Sequence, residues 1–135
     1  MLESFAQTLA KELQLTHLSV ENRSCNLYID PITTCIRELD TGLHFTATIR
    51  DIPKQEREKV FAKLLHACIL GQGTGGAVIG IDTSETYLTL SLAISRECSY
   101  PDFKEKLEEF VNYATYWKEE LDELETRSGE HFYHR

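Results

Sequence analysis

The sequence predicts an α+β fold, in which helices cover one face or one end of an antiparallel sheet. Three observations predict it. Apolar residues recur at helical spacing near both ends of the chain and once in its middle. Between these segments, short stretches alternate apolar with polar residues. Turn residues separate the alternating stretches closely enough for hairpin connections.

In segment 2–15, Leu2, Phe5, Leu9 and Leu13 form one stripe with Ala6 and Ala10 beside it, which predicts an amphipathic helix. Ser4 with Gln7 reads as a capping box that would delay the start of that helix. Cys25, Leu27 and Ile29 then alternate with Asn26 and Tyr28 until Asp30-Pro31 breaks the run. Cys35 to Leu39 fits another short strand. Asp40-Thr41-Gly42 is a turn, with Gly supplying the positive φ that hairpin loops demand. Leu43, Phe45, Ala47 and Ile49 alternate with His44, Thr46, Thr48 and Arg50, the pattern of a half-exposed antiparallel strand.

Pro53 fits the first position of a second helix running to Leu70. Its later part carries Val60, Phe61, Leu64, Leu65, Ala67, Cys68, Ile69 and Leu70, an arc broader than one sheet contact needs. Either this helix is central in the domain or its second face meets another subunit. The second reading is favoured, because a chain this short has few elements to surround a helix. Gly71, Gly73, Gly75 and Gly76 punctuate a loop. Ala77, Ile79 and Ile81 begin a fourth strand with Val78 opposite, and Asp82-Thr83-Ser84-Glu85 makes a turn. Leu88, Leu90, Leu92 and Ile94 define a fifth strand whose other face, Thr89, Ser91 and Ala93, is small and partly polar.

Pro101 opens the last helix, where Phe103, Leu107, Phe110, Val111, Ala114, Trp117, Leu121 and Leu124 step by three or four. Its outer face is acidic, with nine Asp/Glu against three Lys over residues 101–125. Ser128-Gly129 is expected to end it, leaving 126–135 as a flexible tail behind a single domain over 1–125. The order is helix, two or three strands, helix, two strands, helix.

Composition narrows the function. At 135 residues, 41% hydrophobic and 27% charged, the chain has the make-up of one folded domain. A net charge of −8 repels phosphate backbones and anionic bilayers, so neither nucleic acid nor membrane insertion is expected. No secretory leader is read at Met1-Leu2-Glu3, and no apolar run approaches a membrane span. Cys25, Cys35, Cys68 and Cys98 are widely and irregularly spaced, with no C-x-x-C, so reduced thiols in a cytoplasmic protein are expected in place of a zinc ribbon. The Asn22-Arg23-Ser24 sequon then carries no meaning.

A catalytic centre is not legible. The glycine run 71–76 resembles a phosphate cradle, but Ala77-Val78 follow where a P-loop needs Lys and Ser/Thr. The loop also leads from helix to strand, so no helix N-terminus faces a phosphate. Cys68 lies two residues after His66 on a different helix face, and the other cysteines have no nearby His, so each thiol reads as a small buried hydrophobe. His131 and His134 read as solvated tail. The run Glu119, Glu120, Asp122, Glu123, Glu125 reads as a solvated helix face, lacking the Gly-containing loop of a calcium site. No metal, cofactor or enzymatic activity is expected.

The ordered series of apolar patterns resembles the class I type III secretion chaperones of the Tir-chaperone family over residues 2–124. Its pieces are Phe5-x-x-x-Leu9-x-x-x-Leu13, Cys25-Asn26-Leu27-Tyr28-Ile29-Asp30, Leu43 to Ile49 leading into Ile52-Pro53, and Leu64-Leu65-His66-Ala67-Cys68. They continue with Val78-Ile79-Gly80-Ile81-Asp82, Leu88-Thr89-Leu90-Ser91-Leu92 and the helix carrying Phe110, Ala114 and Trp117. Cys68 stands where the family usually has Asn. The resemblance implies a five-stranded antiparallel sheet packed with three helices in the order α-β-β-β-α-β-β-α, and a homodimer. It also implies a bacterial cytoplasmic role: binding the N-terminal segment of secreted effectors, keeping it partly extended, and delivering it to the secretion machinery, including its ATPase or sorting components.

The residues suggest how. An extended client adds a strand to an open sheet edge through main-chain bonds. Leu2, Phe5, Leu9 and Leu13, with Leu27, Ile29 and Phe45, are the candidate groove for its apolar side chains, part of the set being expected in the core. Leu64, Leu65, Ile69, Val78 and Ile79 are the candidate dimer contact. An adaptor or regulator of the same fold is the alternative reading, and a thiol enzyme a third.

Overall fold

The computed structural model describes residues 1–15, 18–52, 57–70 and 75–133, without the side chains of 67–70 and 124–133. The order is α1 (Leu2–Glu12), β1 (Ser24–Ile29), β2 (Ile32–Leu39), β3 (Gly42–Asp51), α2 (Arg57–Leu70), β4 (Val78–Ile81), β5 (Tyr87–Ser95) and α3 (Tyr100–Tyr133). The five strands form one sheet in the order β1-β2-β3-β5-β4, every neighbouring pair antiparallel. The expected α-β-β-β-α-β-β-α architecture is present.

A period of two sorts the strand residues. Cys25, Leu27, Ile32, Ile36, Leu43, Phe45, Ala47, Leu88 and Leu90 are buried on one face, where α3 crosses β2, β3 and β5 with α1 at its side. Asn26, Thr33, Cys35, His44, Thr46, Thr48, Thr89 and Ser91 occupy the other phase. Aromatic rings join the layers. Phe45 meets Phe103 and Phe110 edge-on with centroids 5.8 and 5.5 Å apart, and Phe5 lies 4.9 Å from Phe103. Each such pair contributes about 0.5–1.5 kcal/mol beyond its buried area.

One irregularity redirects a charge. Thr48 pairs with Thr89 but Arg50 with Leu88, so Ile49 is the extra residue of a bulge. Ile49 is buried and Arg50 turns toward α3, where its Nη1 donates to Asp122 Oδ1 at 2.8 Å.

Several element boundaries differ from expectation. The Ser4–Gln7 capping box does not set the start of α1, which begins at Leu2. The Leu2 N–H donates instead to Glu38 Oε1 of β2 at 2.7 Å, so a carboxylate distant in sequence caps the helix. At its other end α1 stops at Glu12, three residues early. Gln14 takes a φ of 55°, the Leu15 N–H donates to the Ala10 carbonyl and the Gln14 N–H to the Lys11 carbonyl. That is a Schellman stop built on Gln instead of Gly. β2 starts at Ile32, directly after the Asp30-Pro31 turn, because its pairing with β1 runs to the end of the hairpin. Ser128-Gly129 does not end α3, which continues to Tyr133. A helical Gly costs only about 1 kcal/mol, too little to stop a long helix alone. Pro53, Gly71 and Gly73 lie outside the described residues.

Candidate functional site: an open strand edge and an apolar groove

β1 is one outer strand of the sheet, and its hydrogen-bond phase is set at its start. The Arg23 carbonyl accepts from the Glu38 N–H at 2.8 Å. Antiparallel ladders alternate, so Cys25, Leu27 and Ile29 turn their main-chain groups toward β2, and Ser24, Asn26 and Tyr28 turn theirs outward. Ser24 is satisfied by Glu21, exchanging N–H···O bonds of 3.0 and 2.9 Å. Asn26 and Tyr28 face the outer edge, which no other strand pairs among the described residues. Beside them the Tyr28 side chain is 63% exposed, its hydroxyl donating to Asp30, and Ile29 is 38% exposed.

The opposite edge is built differently. The Asp82 N–H donates to the Tyr87 carbonyl, which turns the main chain of Val78 and Gly80 toward β5 and that of Ile79 and Ile81 outward. Phe61, Leu64 and Leu65 of α2 join Val78, Ile79 and Ile81 around an apolar groove of about 510 Å³. Leu65 and Val78 are 62% and 63% exposed, and Ile81 is half exposed. Contiguous exposed apolar surface of this kind marks an interaction site.

The sequence-derived residues divide between these surfaces and the core. Leu2, Leu9, Leu27 and Phe45 are buried within the chain's own core, so they are not available as a groove wall in this conformation. Phe5 is half buried against Tyr100 and Phe103. Leu13 and Ile29 are exposed. Of the candidate dimer residues, Leu64 is buried at the floor of the groove, Ile79 is partly buried, and Leu65 and Val78 stand out from it. The Ile69 side chain lies outside the described residues. Tyr28, Leu15 and Ile81 are exposed apolar residues that the sequence reading did not single out. Tyr28 could have been found from its parity, since it falls out of phase with the buried Cys25 and Leu27.

Chemistry-bearing groups are placed for structure. Burial, and to a smaller degree neighbouring Cys35, pushes the Cys25 thiol up to about 11, which keeps it protonated at neutral pH. Burial, then Asp102, also raises the Cys98 thiol. The acidic run of α3 ties elements together: Asp122 holds Arg50 of β3, and Glu120 pairs with Lys63 of α2. Among the described residues no cluster of three or more His, Cys, Asp or Glu could hold a metal ion, and no helix is long and apolar enough to cross a membrane. The side chains of Cys68, His131 and His134 lie outside the described residues.

The sequence profile of the Tir chaperone protein (CesT) family matches residues 4–118. The chain belongs to this family. Among individual sequences, the CPj0713/CpB0740 protein of Chlamydia pneumoniae is 24% identical over 127 residues, spanning 90% of this chain and 96% of that protein. Solved structures share the fold of this CesT-family chain. The chaperone–effector complex HopA1–SchA superposes with a TM-score of 0.70 at 16% identity, covering 87% of this chain and 92% of that one. The ExsC–ExsE complex gives a TM-score of 0.70 at 15% identity, covering 87% and 91%. The fold of this CesT-family member is therefore that of class I type III secretion chaperones, and the α-β-β-β-α-β-β-α order found strand by strand is the feature they share.

Proposed function

We propose that this CesT-family chain is a bacterial cytoplasmic chaperone that binds the N-terminal segment of one or more type III secreted effectors. It holds that segment partly extended and presents it to the secretion machinery, its ATPase or sorting components. The observation that carries the reading is the open edge of β1, with outward main-chain groups at Asn26 and Tyr28 beside exposed Tyr28 and Ile29. An edge of this kind binds by backbone hydrogen bonds and so tolerates clients of varied sequence. Ile29 and Leu13 are the exposed members of the candidate groove, and Leu2, Phe5, Leu9, Leu27 and Phe45 support them from the core. The chain acts by binding, with no catalytic step and no cofactor.

The groove between α2 and β4 takes a second copy of the chain, making a homodimer with Leu65, Val78 and Ile79 in the contact, Leu64 beneath them and Ile69 in the same segment. The exposure of Leu65 and Val78 supports this, as does the breadth of the apolar arc on α2. Light scattering tests the dimer: twice the chain mass is expected at micromolar concentration, and a Leu65→Asp variant should fall to the monomer mass. Co-expression tests the chaperone role. A secreted protein's N-terminal stretch should co-purify and resist protease only in the complex. Capture of a folded regulator would move the reading to an adaptor of the same fold, and loss of function on alkylating the cysteines would revive a thiol chemistry.

A further inference from the structure

The chain reaches β1 through a turn that folds it back on itself. Asn22 and Arg23 have φ of 52° and 62°, the type I′ geometry whose twist matches a β-hairpin. A hairpin with these two residues at its tip sets Glu21 opposite Ser24, Val20 opposite Cys25 and Ser19 opposite Asn26. Because Glu21 and Ser24 exchange both main-chain bonds, the next pair to do so is Ser19 with Asn26. The ladder nevertheless stops after the Glu21–Ser24 bridge. Beyond it the arm 18–20 and β1 splay apart around an open cleft of about 510 Å³, lined by Leu18, Ser19 and Glu21 on one side and Ser24, Cys25 and Asn26 on the other. Leu18 and Val20 stay partly buried against the core, so the arm is held beside an edge that it does not pair.

We infer that residues 18–20 are a built-in competitor for the client strand, alternating between a state zipped onto the main chain of Asn26 and the splayed state seen here, which admits an extended client. This rests on the chaperone reading of the β1 edge. An open edge invites edge-to-edge aggregation, and a short self-strand covers it without closing it permanently. The arm offers one further pair of hydrogen bonds, so a client strand that also engages Tyr28 outcompetes it. The client must present an N–H, and hence a residue other than proline, opposite Asn26.

Amide hydrogen exchange on the full chain tests the arm without any client. Ser19→Pro removes the N–H that the zipped state uses, and Ser19→Val favours the strand. The Asn26 amide is expected to exchange about fivefold faster in Ser19→Pro than in the wild type, the factor that one net hydrogen bond supplies, and slower still in Ser19→Val. The Cys25 and Leu27 amides, bonded to β2, should stay protected in all three proteins and so report an intact sheet. Equal Asn26 rates in wild type and Ser19→Pro would overturn the inference and leave the chaperone reading standing. With the client segment recovered by co-expression, Ser19→Pro should bind several-fold tighter and Ser19→Val weaker; unchanged affinity, or no client at all, reduces the arm to a self-cap and also overturns competition. Only the absence of a client counts against the chaperone reading itself.

Discussion

Thr34 of β2 occupies a core position, fully buried opposite Leu27 on one side and Ala47 on the other. Its Oγ1 finds no hydrogen-bond partner among the described residues. A hydroxyl buried in this way costs about 1–3 kcal/mol, because its bonds to water are lost and not replaced. Thr34→Val keeps the shape and replaces the hydroxyl with a methyl group, so it should stabilise the fold by about 1.5 kcal/mol. For 135 residues, with an unfolding entropy of about 2.1 cal/mol/K per residue, that is a rise in Tm of about 5 °C. Thr34→Ser makes the opposite change, keeping the hydroxyl and deleting the methyl, and should lose about 1 kcal/mol to the void it leaves. Calorimetry of the three proteins at one common concentration checks the pair, since the proposed dimer would make Tm concentration-dependent. A Thr34→Val protein that melts below the wild type would refute the reasoning, because it would mean that the hydroxyl has a partner whose loss outweighs the relief.

Three further outcomes follow from the geometry. Gly42 has a φ of +149°, and an added Cβ would lie 2.0 Å from the Ile94 carbonyl oxygen and 2.8 Å from the Arg96 nitrogen; Gly42→Ala should cost more than about 4 kcal/mol and abolish soluble expression. Gln14 holds the left-handed position of the α1 stop at a φ of 55°, so Gln14→Gly should raise the urea midpoint by the equivalent of about 1 kcal/mol without changing the slope. The third concerns acid stability. The Leu2 N–H bonded to Glu38, against the opposing effect of burial and with help from Arg23, holds this carboxyl below its ordinary value of 4.5. A depressed folded value contributes stability above the unfolded value that is lost as pH falls through the folded one. Glu38→Gln should therefore be less stable than wild type at pH 7, and the two denaturation midpoints should converge below pH 4.5. A gap of constant size down to pH 3 would show that the carboxylate charge contributes nothing.

The two faces of β1 were readable in advance, and the reason is local. Alternation survives folding because the strand period is a property of the backbone, so the parity of Cys25, Leu27 and Ile29 assigned each residue to its face before any pairing was known. The apolar arc of α2 was equally plain, and Leu65 with Val78 stands exposed where that arc exceeds what the core can cover. The α1 stop was not readable, because Gln14 adopts a left-handed φ without the glycine that usually marks one. Neither was its cap, since Glu38 lies 36 residues from Leu2.

What the sequence determined by itself was the order of elements, the phase of each strand and the family pattern, all of which depend on spacing along the chain. Tertiary structure alone decided which apolar residues are core. Leu9 and Leu13 share one helix stripe, as Leu27 and Ile29 share one strand phase, yet Leu9 and Leu27 are buried while Leu13 and Ile29 are exposed. Hydrophobicity states that a side chain gains by leaving water; whether it can leave depends on a neighbour arriving from elsewhere in the chain. The sheet order set those neighbours by placing β5 between β3 and β4. That arrangement left β1 and β4 as edges, one carrying the open ladder of Asn26 and Tyr28 and the other the groove under Leu65.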